Sequence, residues 1–335
     1  MAEKRILLAH GAGGRLMRDL IGGVFFPRLG GEVLTRGEDA AVLEKADGRQ
    51  WAFTTDAFVV TPLFFPGGDI GRLAVFGTVN DLAAMGAKPR FLSLAMVLEE
   101  GLDLGVLERV TDSVARAAEE AEVQVVCGDT KVVERGAADG IYLCTAGLGL
   151  IEGEPASPAR VQAGDAVLIS GTVGDHEMAV LLAREGLPFE AELESDCAPL
   201  AGLVAAVRGE VEVHAMRDPT RGGLGAVLNE IAEQAGLQIE IDERAVPVAP
   251  AVAQVCEVLG FDLLYLANEG KMGFFVPAAQ AARAVEIMRA HPLGKSAAIV
   301  GRVVEGRAGR VVLNTVVGGR RILDLPLGEQ LPRIC

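Results

Sequence analysis

Apolar positions along this chain follow two periods, and the switches between them lay out its elements. Leu107, Val110, Val114, Ala117, Ala118 and Ala121 form one stripe of a helix predicted over 104–121, with charged residues between them. Helical spacing also runs through 17–21, through 71–85 up to the stop signal Gly86-Ala87-Lys88-Pro89, and through 178–184, 224–234 and 278–290. Shorter apolar runs predict strands at 51–56, 91–98, 123–127, 142–151, 167–171, 263–267, 273–276, 297–304 and 310–313. Pro155, Pro158 and Gly164 make 152–164 read as a linker. The expected division is therefore 1–151, 165–317, and a polar, proline-interrupted tail over 318–335 that should be flexible.

Composition narrows the class. A chain of 335 residues exceeds the size at which one core stops growing, in keeping with two domains. Half its residues are hydrophobic but only 4% aromatic, so the cores should be aliphatic. A net charge of −15 repels phosphate backbones and argues against nucleic acid as a partner. Any bound phosphate needs local help from metal ions, glycine amides or single basic residues. The five cysteines are odd in number and lack CxxC spacing, which argues against a disulfide framework or zinc site. No apolar run reaches membrane-spanning length, and Met1–Arg5 leads into too short an apolar stretch for a signal peptide, so a cytoplasmic protein is expected.

Candidate chemistry gathers at element ends. His10-Gly11-Ala12-Gly13-Gly14-Arg15 is either an anion-cradling loop or a flexible lead-in to a helix. Asp39, Asp56, Asp81 and Asp129 each border an apolar segment at a turn. One such residue is ordinarily a cap, but four of them near a glycine loop suit a hard cation shared with phosphate. Gly128-Asp129-Thr130-Lys131 should form the turn after a strand, and there is no GxxxxGK[ST] loop. Asp175-His176-Glu177 opens a helix; neighbouring residues point apart there, so capping is expected rather than metal binding. Arg217-Asp218-Pro219-Thr220-Arg221-Gly222-Gly223 is the densest polar stretch, suited to phosphate and metal contact before a helix. Glu269 is a turn residue or a positioned base. The end, Leu331-Pro332-Arg333-Ile334-Cys335, is a frayed terminus or an arm presenting a thiol with nothing beyond it.

Taken in order, the glycine-rich start, Glu38-Asp39-Ala40-Ala41, Thr54-Thr55-Asp56, 79–86 with Asn80-Asp81, Gly128–Lys131 and Asp218–Leu224 resemble the aminoimidazole ribonucleotide synthetase-like superfamily. That superfamily includes thiamine-monophosphate kinase, selenophosphate synthetase and the hydrogenase-maturation HypE family; Pro332-Arg333-Ile334-Cys335 is similar to the last of these. The resemblance implies an α+β fold of two domains. The N-terminal domains of a homodimer would pair their sheets into a shared β-barrel beside an ATP cleft, and the C-terminal domain would be an α/β sandwich.

By motif match, Asp39, Asp56, Asp81 and Asp218 would hold Mg²⁺, and Gly11, Gly13 and Gly14 would close over the phosphates. Asn80, Asp129 and Arg221 fall in the same nucleotide motifs, and Lys131 and Glu269 match catalytic positions. The implied activity is ATP-dependent dehydration of an S-carboxamide on Cys335 to a thiocyanate, the source of cyanide for nickel-iron hydrogenase. Loading would come from a HypF-type carbamoyltransferase and the product would pass to a HypC–HypD-type complex. Two other readings compete: a phosphotransferase or synthetase acting on a free small molecule, and a carrier whose thiol merely holds a group.

Overall fold

The computed structural model describes residues 5–11, 13–44, 48–186, 193–326, 331 and 333–335. Ala12 and Pro332, parts of two motifs above, lie outside them. The chain opens with two short helices, α1 (Arg15–Leu20) and α2 (Phe26–Leu29), before strands β1 (Ala41–Glu44) and β2 (Gln50–Phe58). A small ribbon, β3 (Phe64–Phe65) with β4 (Gly68–Asp69), leads into helix α3 (Ile70–Ala84). Strand β5 (Ala87–Glu99), helix α4 (Leu104–Glu120), and strands β6 (Gln124–Val133) and β7 (Ile141–Ile151) complete the first domain. Its sheet runs β1-β2-β7-β5-β6, with only β5 and β6 parallel.

Helix α3 is the pillar of the molecule. Asp69 caps it by accepting from the amides of Gly71 (2.8 Å) and Arg72 (3.0 Å). It is buried on nearly every side, as expected of a helix apolar all round. Leu73, Val75, Phe76 and Val79 fill the first domain's core, while Ala83 and Ala84 join the core of the second. Helix α4 buries the centre of the stripe read from its sequence, Val110, Val114, Ala117 and Ala118, together with Ser113.

The second domain contains β8 (Asp165–Ile169), α5 (Asp175–Glu185), α6 (Ala201–Arg208), β9 (Ala215–Arg217), α7 (Gly223–Ala235) and β10 (Gln238–Asp242). It continues with α8 (Pro250–Leu259), β11 (Gly273–Pro277), α9 (Ala281–Ala290), β12 (Ala298–Val304), β13 (Arg310–Asn314) and β14 (Arg320–Ile322). Its seven strands run β14-β13-β10-β12-β8-β11-β9. Both faces are covered, so Val167 and Ile169 enter one core while Leu168 enters the other. That explains the unbroken apolar run in β8.

Helices α6 and α8 and strand β10 fall where the sequence reading placed no element, and three of its assignments change. Residues 128–131 continue strand β6 instead of turning, because Gly128 lets the chain approach β5 closely: a Cβ there would lie 2.3 Å from the Leu94 carbonyl oxygen. The strand expected over 263–267 is a 3₁₀ turn at Leu263–Tyr265, set by Asp262 accepting from the Leu264 amide at 3.1 Å. The stretch after 317 is not all tail, since Arg320–Ile322 pairs with β13 and Leu323 is fully buried.

Candidate active site

Both domains contribute to one polar cleft. Asp39 precedes β1, Asp56 lies on β2, Asp81 is in the last turn of α3, and Asp218 follows β9. Their mutual electrostatic influence shows that the fold gathers them. Burial, reinforced by Asp56, Asp218 and Asp39, pushes the Asp81 carboxyl well above its usual range. Burial and then Asp39 raise Asp218 to about 8. Asp39 rises to about 6 through burial, although Arg217 opposes it from a 2.8 Å ion pair. Asp56 is raised by burial and shares a hydrogen bond with Asp81. The Thr54 hydroxyl lies 2.8 Å from Asp81 Oδ2 and 2.9 Å from the Asp39 carbonyl oxygen.

The glycine loop lies over the second domain's edge of this cleft. Arg221 Nη1 donates to the Gly11 carbonyl at 2.7 Å. Gly13 has φ +71°, and a Cβ there would fall 2.6 Å from the Arg221 carbonyl oxygen, so only glycine fits. Gly14 is the residue before α1.

Other expected site residues are placed differently. Asn80 does not face a ligand: its amide donates to the carbonyls of Ala198 and Glu269, both at 3.1 Å, and its oxygen accepts from the Leu200 amide at 2.8 Å. It holds the Glu269 loop. Asp129 and Lys131 pair with each other at 2.5 Å, exposed on the outermost strand, with β5 and β7 between them and β2. Within one chain they stand apart from the aspartates.

Glu269 does border the cleft. Its Oε1 is buried and finds no hydrogen-bond partner among the described residues. Burial, then Asp196, Asp218 and Asp56, push its carboxyl well above the usual range, against Arg221. The loop is fixed from behind, where the Glu269 amide donates to Asp196 at 3.0 Å. Lys271 reaches the same Asp196 at 2.8 Å and Asp175 at 3.5 Å. Asp175 therefore forms ion-pair and hydroxyl contacts, including one from Thr172, and the helix it opens has no side-chain cap.

The last residues are seated nearby. Ile334 is 2% exposed within the first domain's core, and Cys335 packs against the cluster that holds Cys197 and Ala267. The amides of Val59 and Thr61 donate to the carbonyls of Cys335 (3.0 Å) and Arg333 (3.3 Å). Arg184 donates to the Arg333 carbonyl at 2.5 Å, and Arg333 pairs with Asp139. His176, which the sequence reading took only as part of a capping segment, donates from Nε2 to the Ile334 carbonyl at 2.8 Å.

Comparison with known proteins fits this geometry. The models "AIR synthase related protein, N-terminal domain" and "AIR synthase related protein, C-terminal domain" match residues 37–151 and 162–314. A carbamoyl dehydratase HypE of Rhodobacter capsulatus is 50% identical over 340 residues, covering 100% of this chain and 99% of the relative. This chain belongs to the HypE family.

Solved HypE structures share the fold. One in a HypE–HypF complex has 47% identity and a TM-score of 0.86, covering 92% of this chain and 99% of that one. A HypE in complex with ATP has 46% identity and a TM-score of 0.83, covering 99% and 100%. The donor set in this HypE-family cleft suits a hard cation, since it crowds buried carboxylate oxygens that Arg217 and Arg221 offset only in part. Among the described residues no three His, Cys, Asp or Glu side chains form a ready-made metal cage. Magnesium commonly takes one or two carboxylates and completes its shell with phosphates and water, which matches a site assembled with nucleotide.

Proposed function

We propose that this protein is an ATP-dependent carbamoyl dehydratase that converts an S-carboxamide on its own Cys335 into a thiocyanate. The observation that carries this reading is the seat itself: Cys335 packs against the core cluster that includes Cys197 and Ala267, and two residues beyond Ala267 the buried Glu269 Oε1 finds no hydrogen-bond partner among the described residues. Hydroxide is a poor leaving group, so the amide oxygen must first take a phosphoryl group. That group then leaves as phosphate, the two N–H protons are lost and the C≡N bond forms.

Glu269 is suited to take a proton, because its raised pKa makes it a stronger base once ionised. Asp39, Asp56, Asp81 and Asp218 would hold Mg²⁺, which supplies charge neutralisation at the transferred phosphoryl group. Arg221 and the glycine loop are placed to border the nucleotide. Asp196 and Asn80 keep the Glu269 loop in place from the other side.

The uncovered face of the first sheet, with Phe53 44% and Phe91 39% exposed, supports pairing of two copies there. Lys131, displayed on that sheet's edge, would act near the transferred group in such a pair. Carbamoyl loading would come from a HypF-type carbamoyltransferase, a partner supported by the related HypE–HypF complex. A cytoplasmic setting is consistent with the absence, among the described residues, of a helix long and apolar enough to cross a membrane.

Intact-mass measurement after incubation with carbamoyltransferase, carbamoyl phosphate and ATP tests the reading. The carbamoylated protein should lose the mass of one water, and Cys335→Ala should show neither the gain nor the loss. Water loss in the alanine variant would overturn the assignment.

A further inference from the structure

His176 takes no part in the chemistry above, yet its surroundings are unusually complete. The ring is fully buried in the first turn of α5, with the edge of Phe65 against it at 5.5 Å between centroids. Nε2 lies 2.8 Å from the Ile334 carbonyl oxygen, and Nδ1 lies 2.8 Å from Ser195 Oγ. A carbonyl can only accept, so Nε2 carries the proton. In the neutral ring Nδ1 then accepts from the Ser195 hydroxyl, whose oxygen accepts in turn from the Cys197 amide at 3.1 Å. Every donor in this chain has its acceptor. Burial also lowers the His176 pKa, against Asp196 and the Ile334 carbonyl, which favours the neutral ring.

Downstream, the same loop leads to the base. Asp196 sits between Ser195 and Cys197 and accepts from the Glu269 amide at 3.0 Å. One short segment therefore touches the ring that grips the tail on one side and the Glu269 loop on the other.

We propose that His176 is a positioning residue for the dehydration: its neutral Nε2–H tautomer grips the carbonyl one residue before Cys335, and the 195–197 segment registers that grip against Glu269. The inference rests on the dehydratase reading and goes beyond it. It assigns to an imidazole outside the reacting groups the task of presenting the sulfur.

The test uses full-length protein and two readouts. Alkylation of unloaded Cys335 by a small thiol reagent, localised by peptide mass, reports seating, while the buried Cys256 reports whether the fold is intact. Single-turnover water loss from the pre-carbamoylated protein reports presentation. His176→Leu, which keeps bulk and removes the donor, should speed Cys335 alkylation and slow water loss, each by about tenfold, as expected for one lost hydrogen bond with its acceptor left buried. Cys256 should stay unreactive. His176→Gln, whose amide nitrogen can take the place of Nε2, should recover both to within about threefold.

Wild-type behaviour of His176→Leu with Cys256 still protected would overturn the proposal, as would a glutamine variant no better than leucine. If the leucine side chain exposes Cys256, His176→Asn replaces it in the comparison, because its amide falls one methylene short. If wild-type protein itself fails to lose water, the dehydratase reading fails instead, and alkylation alone then decides whether His176 holds the seat.

Discussion

Glu269 shows how a carboxyl group can be withheld from ordinary duty. Its backbone is anchored through its amide to Asp196 and through its carbonyl to Asn80, while its buried Oε1 has no hydrogen-bond partner among the described residues. Leaving a buried polar atom unmatched is costly, so such groups mark positions where something else must arrive. Glu269→Gln preserves shape and removes the basic oxygen. It should slow water loss by roughly 10²–10³-fold, within the range for a positioned base, while leaving ATP affinity within about threefold. Normal turnover in single-turnover mass measurements would move the proton to another group. Asn80→Ala should act more indirectly, by freeing the loop, and the loss should extend to folding stability because Asn80 is 1% exposed and bonded three ways.

At the level of elements, glycine decides how close the pieces come. Gly223 opens α7 at φ +61°, and a Cβ there would fall 2.5 Å from the Leu266 carbonyl oxygen and 2.8 Å from that of Leu264. Gly223→Ala should cost about 2 kcal/mol or more, combining a disfavoured left-handed residue with a backbone clash. Urea unfolding would measure it, and an unchanged midpoint would mean that the 264–266 turn can move away. Such contacts explain what was legible in the chain. Six helices and most strands follow from apolar period, but the short helices α2, α6 and α8 were not read from it, and the aspartates stood out because each borders an apolar run in the sequence, although Asp56 and Asp129 lie within strands. The turn at 263–265 was not legible: its residues are as apolar as a strand's, and what bends them is Asp262 and the close approach of α7. Nor was the grip of His176 on Ile334, which joins residues 158 positions apart through a backbone carbonyl that carries no sequence signal.

Across the whole molecule, the cleft stores negative charge drawn from both domains, and this has a pH signature. Asp218 at about 8 and Asp39 at about 6 both lie above the ordinary carboxylate value near 4. Between about pH 4 and pH 8 the folded protein therefore retains protons that the unfolded chain has released, and stability from these groups falls as pH rises through that window. Thermal unfolding of the metal-free protein should show a lower midpoint at pH 8 than at pH 6. Mg²⁺ with ATP should raise the midpoint more at pH 8, where it relieves repulsion between ionised groups. Asp218→Asn should flatten the pH dependence, and an unflattened profile would place its origin elsewhere. The bare sheet face makes a separate prediction: Phe53→Glu should shift a dimer toward monomer in light scattering, and an unchanged mass would assign pairing to another surface.

The seat for the last residues also carries a consequence for timing. Its polar contacts are with the main-chain carbonyls of Arg333, Ile334 and Cys335 and with the side chain of Arg333, while Ile334 and Cys335 pack against the first domain's core. The polar part of the grip is therefore blind to cargo: thiol, carboxamide and thiocyanate forms offer it the same handles, and only the packing around Cys335 differs. A change that alters docked and free states equally cannot shift the balance between them. Those handles do not eject the product when the reaction is complete, so release of the arm falls to the packing around the sulfur and to whatever comes to load it or to empty it.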